Sequence, residues 1–434
     1  MRLPWRRGLV FVAARVLCLP PVRGNTAPVC IERPSLNRSL KIRLSTMMFL
    51  QYMVPGATVP ILSLYLHDHL GFPAYQAGII MALPALSAII APLLASRVAD
   101  HWVSANRMLL LCHLSAGVLM LLLYWAESFP VFAILYFLYG MCFAPTFGLT
   151  NAVALHHIED ANRDFGGIRM WGTVGWVVVA WLFGYFWIRG GAPGARLPHA
   201  LPVSGLCSLA LALFTLSLGG AQSGPGAMTT RYRDLLRLFL RPDMLLLCLL
   251  SLLNGACHQF YYFGMSPFLS QTGFPGPFIM PGMSVGQISE VVVLGVLGWC
   301  LLRMRMKTAM LVGVLAQGVR MIIFAFAGSH GLVLAGIGLH GICYAFFFTT
   351  AYLYLESHCT RDTRAGAQQV LTVMISGVGP LAGFLSAGWT AQFLTDPSTG
   401  LVDYRTFWLV PGVLCALIAL WLFAGFHERR APRV

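Results

Sequence analysis

The sequence predicts an all-α integral membrane protein with twelve transmembrane helices in two six-helix halves. Of the 434 residues, 58% are hydrophobic and only 10% are charged, whereas a soluble domain carries about 25% charged residues. Apolar runs of roughly 18 to 25 residues recur along the chain, and each is long enough to cross a ~30 Å hydrocarbon core. A long polar interruption at 220–242 leaves six runs on either side.

Each span is predicted from an apolar run bounded by polar or turn-forming residues. The spans lie at about residues 46–66, 75–96, 107–126, 129–152, 168–188, 200–219, 243–270, 284–303, 307–328, 331–355, 366–393 and 404–426. Two six-helix halves are the plan of major facilitator transporters, which place the substrate site between the halves near the membrane midplane. The predicted parts are an extension at 1–40, a first half at 41–219, a central loop at 220–242, a second half at 243–427 and a tail at 428–434.

Positive charge predicts the orientation of these spans. The net charge is +14, which could suit nucleic acid, but the charges are spread over short loops. From residue 41 onward, one side carries nearly all Lys and Arg, whereas the opposite loops carry only Arg189, Arg196 and Arg405. The positive-inside rule therefore predicts cytoplasmic termini in a plasma (inner) membrane, with the bilayer and not nucleic acid as the partner.

The N-terminal 40 residues do not follow this pattern. They begin with a basic segment and a short apolar run, 8–20, that resembles a signal peptide but is interrupted by Arg15. We expect a poorly ordered extension, and an interfacial helix is the alternative.

No enzyme is predicted, because the chain has no HExxH motif and no phosphate-binding loop. The 11 cysteines lack metal-ligand spacing and include several in apolar spans, so they are interpreted as small buried residues. The HHIED run at 156–160 is interpreted as part of a solvated loop. No cofactor is expected.

Glu290 is the most informative residue. It lies in an apolar stretch, 285–302, that carries no other charge, and an ionisable group at membrane depth is a functional-site hypothesis by default. Gln287 lies three residues earlier on the same helical face. Together they predict a polar cavity. The alternative is a structural pair between Glu290 and Arg320 of the ninth span.

The fifth span begins with a second polar stripe. Arg169, Thr173 and Trp176 fall at positions i, i+4 and i+7. A guanidinium, a hydroxyl and an indole on one face could hold a polar, flat solute, because Arg supplies fixed donors and Trp a stacking surface. The alternative is a snorkelling arginine with an interfacial tryptophan.

The seventh and tenth spans add further polar side chains. Gln259 and Tyr262 share a face of the seventh span, and an amide beside an aromatic ring suits the edge of a heterocycle. His340 and Tyr344 lie one turn apart in the tenth span, and histidine is the side chain most easily titrated near neutral pH. The alternative for these groups is hydrogen bonding between helices.

From these residues, the chain resembles the nucleoside:proton symporter family of the major facilitator superfamily over about residues 36–427. The runs that carry the resemblance are LKIRLSTMMFLQ at 40–51, VADHWVSANR at 98–107, APTFGLTN at 144–151, FGGIRMWGTVGW at 165–176, GQISE at 286–290 and RAGAQ at 364–368. The resemblance implies nucleoside contacts at Arg169, Thr173, Trp176, Gln259, Gln287 and Glu290. It also implies a cytoplasmic gating contact between Asp100 and Arg107.

The tenth span departs from the family pattern. The family has a tyrosine and then an aromatic residue followed by an aspartate, a natural proton carrier, whereas this chain has His340, Tyr344 and Ala345. Tyr262 also stands where the family has an amide. Glu290 and His340 are therefore the candidate proton carriers.

The sequence as a whole predicts a monomeric transporter that moves nucleosides by alternating access, coupled to protons. The alternatives are a carrier of a sugar or other polar solute, and a membrane sensor that keeps the fold without transporting. A sensor needs no gating loop, so the presence of Asp100 and Arg107 favours a transporter.

Overall fold

The structure, a computed structural model, forms two compact units, residues 1–42 and 43–434. It describes residues 16–19, 29–32, 37–101, 104–158, 160–189, 194–218, 232–360 and 363–428. In the first unit, strand β1 (Val16–Leu19) pairs antiparallel with strand β2 (Val29–Glu32). Most of the predicted N-terminal extension lies outside the described residues, and its poor order stays a prediction.

Twelve helices of the described residues are long and apolar enough to cross a membrane, which confirms the predicted fold class. They are α1 (Arg38–Thr58, continued by Leu62–Leu64 and a π-helical turn at Tyr65–His69), α2 (Ala74–His101), α3 (Ala105–Leu123), α4 (Phe129–His157), α5 (Ala161–Trp181, continued by a π-helical turn at Leu182–Trp187), α6 (Ala200–Thr215), α7 (Pro242–Gln271), α8 (Gly276–Leu301), α9 (Met306–Phe326), α10 (His330–Ser357), α11 (Arg364–Phe393) and α12 (Tyr404–Gly425). A short helix, Tyr232–Phe239, lies in the central loop.

The largest shifts from the predicted boundaries are at the start of α1, which begins at Arg38 and not near 46, and at the start of α8. Helix α8 begins at Gly276 and not near 284, and it contains Pro281. A proline removes one backbone donor, but membrane helices tolerate it because neighbouring helices satisfy the freed groups. The apolar run therefore continues through a residue that would end a helix in water.

Two helices of the second half change their winding in the middle. A π-helical turn at Tyr344–Thr349 interrupts α10, and another at Val373–Val378 interrupts α11. A π-helical turn inserts an extra residue and so rotates the side chains that follow it, and such turns are frequent at functional sites. The turn in α10 begins at Tyr344, directly after the helical turn that carries His340.

The two halves are packed together at one end of the bundle. We call the end where α1 begins and α12 finishes the terminus end, and the opposite end the far end. At the far end, the rings of Tyr75 and Trp389 stack at 5.3 Å, and Trp181 Nε1 donates a hydrogen bond to Ser284 Oγ at 3.2 Å. A Cβ on Gly388 would lie 2.8 Å from Gly78 Cα. The structure is therefore closed at the far end.

Gly388→Val tests this closure. A side chain there would meet Gly78 Cα and the Ala74 carbonyl oxygen, at 2.8 and 2.9 Å from its Cβ. We expect the substitution to destabilise the state closed at the far end by about 1–3 kcal/mol relative to the open state. Uptake should then be slower, and an impermeant thiol reagent should label a cysteine introduced at position 75 more strongly. Gly276→Ala, which has open space around its Cβ, is the matched control. Unchanged labelling in Gly388→Val would contradict the closure.

Candidate functional site

Glu290 lies on α8 and faces protein. Its side chain is 23% exposed, and Oε2 lies 3.8 Å from Nε2 of His340 on α10. His340 is almost fully buried at 1% exposure. The closeness of α8 and α10 depends on Gly341, because a Cβ there would lie 2.5 Å from the Ser289 backbone. The glycine lets the two helices approach closely enough for the carboxylate to reach the imidazole.

Arg169 brings the first half of the chain to the same site. Its guanidinium lies over the ring of Tyr52 on α1, 4.1 Å from the centroid, and it interacts electrostatically with Glu290. A Cβ on Gly172 would lie 2.6 Å from the Tyr52 ring, so this glycine makes room for the stack. Tyr52 was not singled out from the sequence, because a tyrosine in an apolar helix carries no distinctive signal.

Gln287 and Tyr262 connect α8 with α7. Gln287 Nε2 donates a hydrogen bond to the Tyr262 hydroxyl at 3.3 Å, and Gln287 is 8% exposed. The structure therefore brings Gln287, Glu290 and His340 around one region, with Tyr262 beside His340 at 6.1 Å between ring centroids.

The other predicted contact residues, Gln259, Thr173 and Trp176, make no hydrogen bond, ion pair or ring contact with Glu290 or His340 among the described residues. Gln259 is half-buried, and its Nε2 makes a long hydrogen bond of 3.4 Å to Gly255 O of its own helix. Thr173 and Trp176 are half-buried on α5. The position of a Cβ on Gly56 of α1 lies 3.2 Å from Trp176 Cγ, so the indole packs at least partly against α1.

Tyr344 adds another aromatic ring beside His340. It is 37% exposed, and its ring is nearly parallel to that of His340, with 6.3 Å between centroids. Its neighbour Ala345 is fully buried. Aromatic faces beside amide and carboxylate groups can stack a flat ring and hydrogen-bond its edge at the same time.

Arg320 does not form the direct pair with Glu290 that was the structural alternative. It is fully buried on α9, and its Nη1 donates a hydrogen bond to His340 Nδ1 at 3.0 Å. Within the described residues, no carboxylate lies within 4.0 Å of it. The imidazole stands between the two charges, because its two nitrogens face opposite partners.

The predicted gating residues lie at the terminus end. α2 ends at His101 and α3 begins at Ala105, which puts Asp100 and Arg107 on either side of the connecting loop. Arg107 is exposed. The side chain of Asp100 lies outside the described residues, so the contact between the two stays a prediction.

A separate cavity of about 260 Å³ lies at the far end. It is lined by residues of α1, α2, α7, α11, α12 and the loop before α12, among them His67, Asp68, Gln271 and Tyr404. None of the predicted site residues lines it. We place the candidate site around Glu290 and not here, because the buried ionisable groups that need a functional explanation are there.

Comparison with known proteins agrees with this fold. A family model described as nucleoside H+ symporter matches residues 38–431. The chain is 28% identical over 400 residues to the putative nucleoside transporter YegT of Escherichia coli (strain K12), covering 89% of this chain and 93% of the relative. It is also 28% identical over 416 residues to the xanthosine permease of the same bacterium, covering 91% and 97%. The crystal structure of nucleoside transporter NupG has a TM-score of 0.81 at 24% identity, over 90% of this chain and 100% of that chain.

Proposed function

The chain belongs to the nucleoside H+ symporter family, and we propose that it binds nucleosides around Glu290 and carries them together with protons. It is a multi-pass membrane transporter and not an enzyme, with twelve candidate spans in the described residues. The observation that carries the proposal is the Glu290 carboxylate of the second half, which lies 3.8 Å from His340 Nε2 and interacts electrostatically with Arg169 of the first half. A site shared by two halves is what alternating access requires.

The chemistry of the side chains suits a nucleoside. Tyr52, Tyr344 and Trp176 offer aromatic faces on which a base can stack. The amides of Gln259 and Gln287 can donate to and accept from the edge of a base. Glu290 can accept hydrogen bonds from ribose hydroxyls, and Arg169 supplies fixed donors. Thr173, Tyr262 and His340 complete the proposed contacts.

The direction of the bundle follows from charge. We propose that the terminus end faces the cytoplasm of a plasma (inner) membrane, because it carries the basic loops. Closure at the far end would then separate the site from the outside of the membrane. The bilayer is the surrounding partner, and the functional unit is a monomer, since each chain supplies both halves of the site.

Proton coupling needs a group that changes protonation between the two states of the cycle. Ala345 occupies the place of the family aspartate, so that position cannot serve. Glu290 and His340 are the candidates in this chain.

Uptake by purified protein in proteoliposomes tests the proposal. Radiolabelled nucleosides, free bases and sugars are compared with and without an imposed pH gradient. We expect accumulation of nucleosides above equilibrium when the gradient is present, and loss of this accumulation with an uncoupler. Accumulation of a sugar without nucleoside transport, or nucleoside uptake indifferent to the gradient, would reject the proposal.

Asp100→Asn tests the proposed gate. Because the contact with Arg107 biases the conformations and does not touch the solute, we expect slower transport with nearly unchanged nucleoside affinity. Initial uptake rates and equilibrium binding on the same preparation separate the two effects. Weaker binding with normal turnover would count against a gating role.

A further inference from the structure

Arg320 has no role in the proposed nucleoside contacts, yet it is the most deeply buried charged side chain among the described residues of the second half. It is 0% exposed, and within the described residues its Nε and Nη2 have no hydrogen-bond partner. Its guanidinium lies over the ring of Tyr261, 4.5 Å from the centroid. Arginine stays charged in proteins, and an isolated charge in a membrane helix is costly. Such a residue therefore calls for a functional explanation.

The one hydrogen bond that Arg320 makes within the described part of the chain determines which nitrogen of His340 carries the proton. A guanidinium can only donate, so His340 Nδ1 must accept the bond from Arg320 Nη1 at 3.0 Å. The single proton of the neutral imidazole then lies on Nε2, which faces Glu290 Oε2 at 3.8 Å. A second proton on Nδ1 would set two N–H groups and two positive charges against each other.

We propose that Arg320 is a positioning residue for proton coupling: it holds His340 neutral with its proton on Nε2, so that Glu290 alone takes up and releases the transported proton. His340 then presents a fixed N–H group to the Glu290 carboxylate, with 3.8 Å between Nε2 and Oε2. This inference rests on the proposed function and chooses between its two candidate proton carriers.

Other titratable and charged groups pack around this pair from five helices. They are Tyr52 of α1, Arg169 of α5, His258, Tyr261 and Tyr262 of α7, Arg320 of α9, and Tyr344 of α10. Within the described residues of this cluster, Glu290 is the single carboxylate. Two arginines and one ionised glutamate give a local charge of +1, which becomes +2 when Glu290 is protonated. Uptake of a proton therefore leaves both guanidiniums uncompensated and can shift the conformational equilibrium.

His258 cannot replace His340 in this arrangement. Its ring lies 4.9 Å from that of His340, and its Nδ1 is 3.2 Å from Gln317 Oε1. The Gln317 amide donates to Asn254 O at 3.1 Å, so its oxygen must accept from His258 Nδ1. The proton of His258 is therefore held away from Glu290 by a separate interhelical bond.

The test compares the pH profiles of uptake for three variants. His340→Gln keeps an amide donor near Glu290 but cannot titrate. Because His340 is also one of the proposed nucleoside contacts, we expect weaker nucleoside binding, but the uptake that remains should still be driven by the pH gradient and show a single-step profile. Arg320→Met frees His340 Nδ1, and we expect a second titration step between about pH 5 and 8. The double variant Arg320→Met/His340→Gln should return to one step. Arg405→Met is the matched control, because Arg405 also lies over a ring, that of Phe326 at 4.8 Å, but outside the site.

Two results would overturn the inference. Loss of pH-driven accumulation in His340→Gln with nucleoside counterflow intact would make His340 a carrier. The second result needs no transport assay. A ¹⁵N NMR signal of His340, assigned by its absence in His340→Gln, would overturn the inference if it showed a proton on Nδ1. If Arg320→Met does not fold, these two measurements decide. Absence of pH-driven accumulation in the wild-type protein would instead reject the proposed function, so the two failures are distinguishable.

Discussion

Glu290→Gln abolishes pH-driven nucleoside accumulation and leaves exchange of nucleoside across the membrane in place: this is the expected result with the largest functional effect. The amide has nearly the size of the carboxyl group. It still faces His340 Nε2, which lies 3.8 Å from the native Oε2, and it can still accept a hydrogen bond from a ribose hydroxyl. It cannot gain or lose a proton. Coupling therefore fails while the binding site and the conformational change survive.

Counterflow and gradient-driven uptake on the same proteoliposomes measure the two activities separately. Glu356→Gln is a matched control, since Glu356 pairs with Arg364 at 3.3 Å near the terminus end of α10 and α11, outside the site. Gradient-driven accumulation that persists in Glu290→Gln would show that another group carries the proton. Loss of counterflow as well would show that the carboxylate is needed for nucleoside binding. The role of Glu290 in proton coupling would then be tested by the pH profiles of the Arg320 and His340 variants.

Hydropathy and charge were enough to predict the number of spans, because every membrane helix must satisfy its own backbone and present an apolar surface to lipid. The same reasoning found Glu290 and Arg169, since a charge in an apolar run stands out without any tertiary information. The start of α8 differs from the predicted one because the helix continues through Pro281, and the start of α1 differs because its first turns carry Arg38, Lys41 and Arg43.

The contacts between the polar residues could not be predicted in this way. That Arg320 reaches His340 and not Glu290 depends on the close approach of α8 and α10 at Gly341 and on how α9 packs beside them. The stack of Arg169 on Tyr52 depends on the missing side chain of Gly172. Periodicity along one helix carries no information about which helix lies opposite.

The packing of α1 against α5 leads to the second large expected effect. A Cβ on Gly175 would overlap the carbonyl oxygen of Phe49 and lie 2.9 Å from its carbonyl carbon. These are backbone atoms of a neighbouring membrane helix, so no side-chain rotation can relieve the contact. Gly175→Ala must therefore push α5 away from α1, at a cost at or above the upper end of about 1–3 kcal/mol.

The displacement would also reach the site, because Arg169 and Tyr52 lie on the same two helices, 4.1 Å apart from guanidinium carbon to ring centroid. We expect Gly175→Ala to lower the thermal stability of the purified protein and to lose most nucleoside binding, even though residue 175 itself has no polar group. Gly167→Ala on the same helix has open space around its Cβ and gains about 1 kcal/mol of helix propensity, so it should be neutral or stabilising. If Gly175→Ala instead behaved like Gly167→Ala in both measurements, α1 and α5 could not be packed as closely as they are here, and the stack of Arg169 on Tyr52 would lose its structural basis.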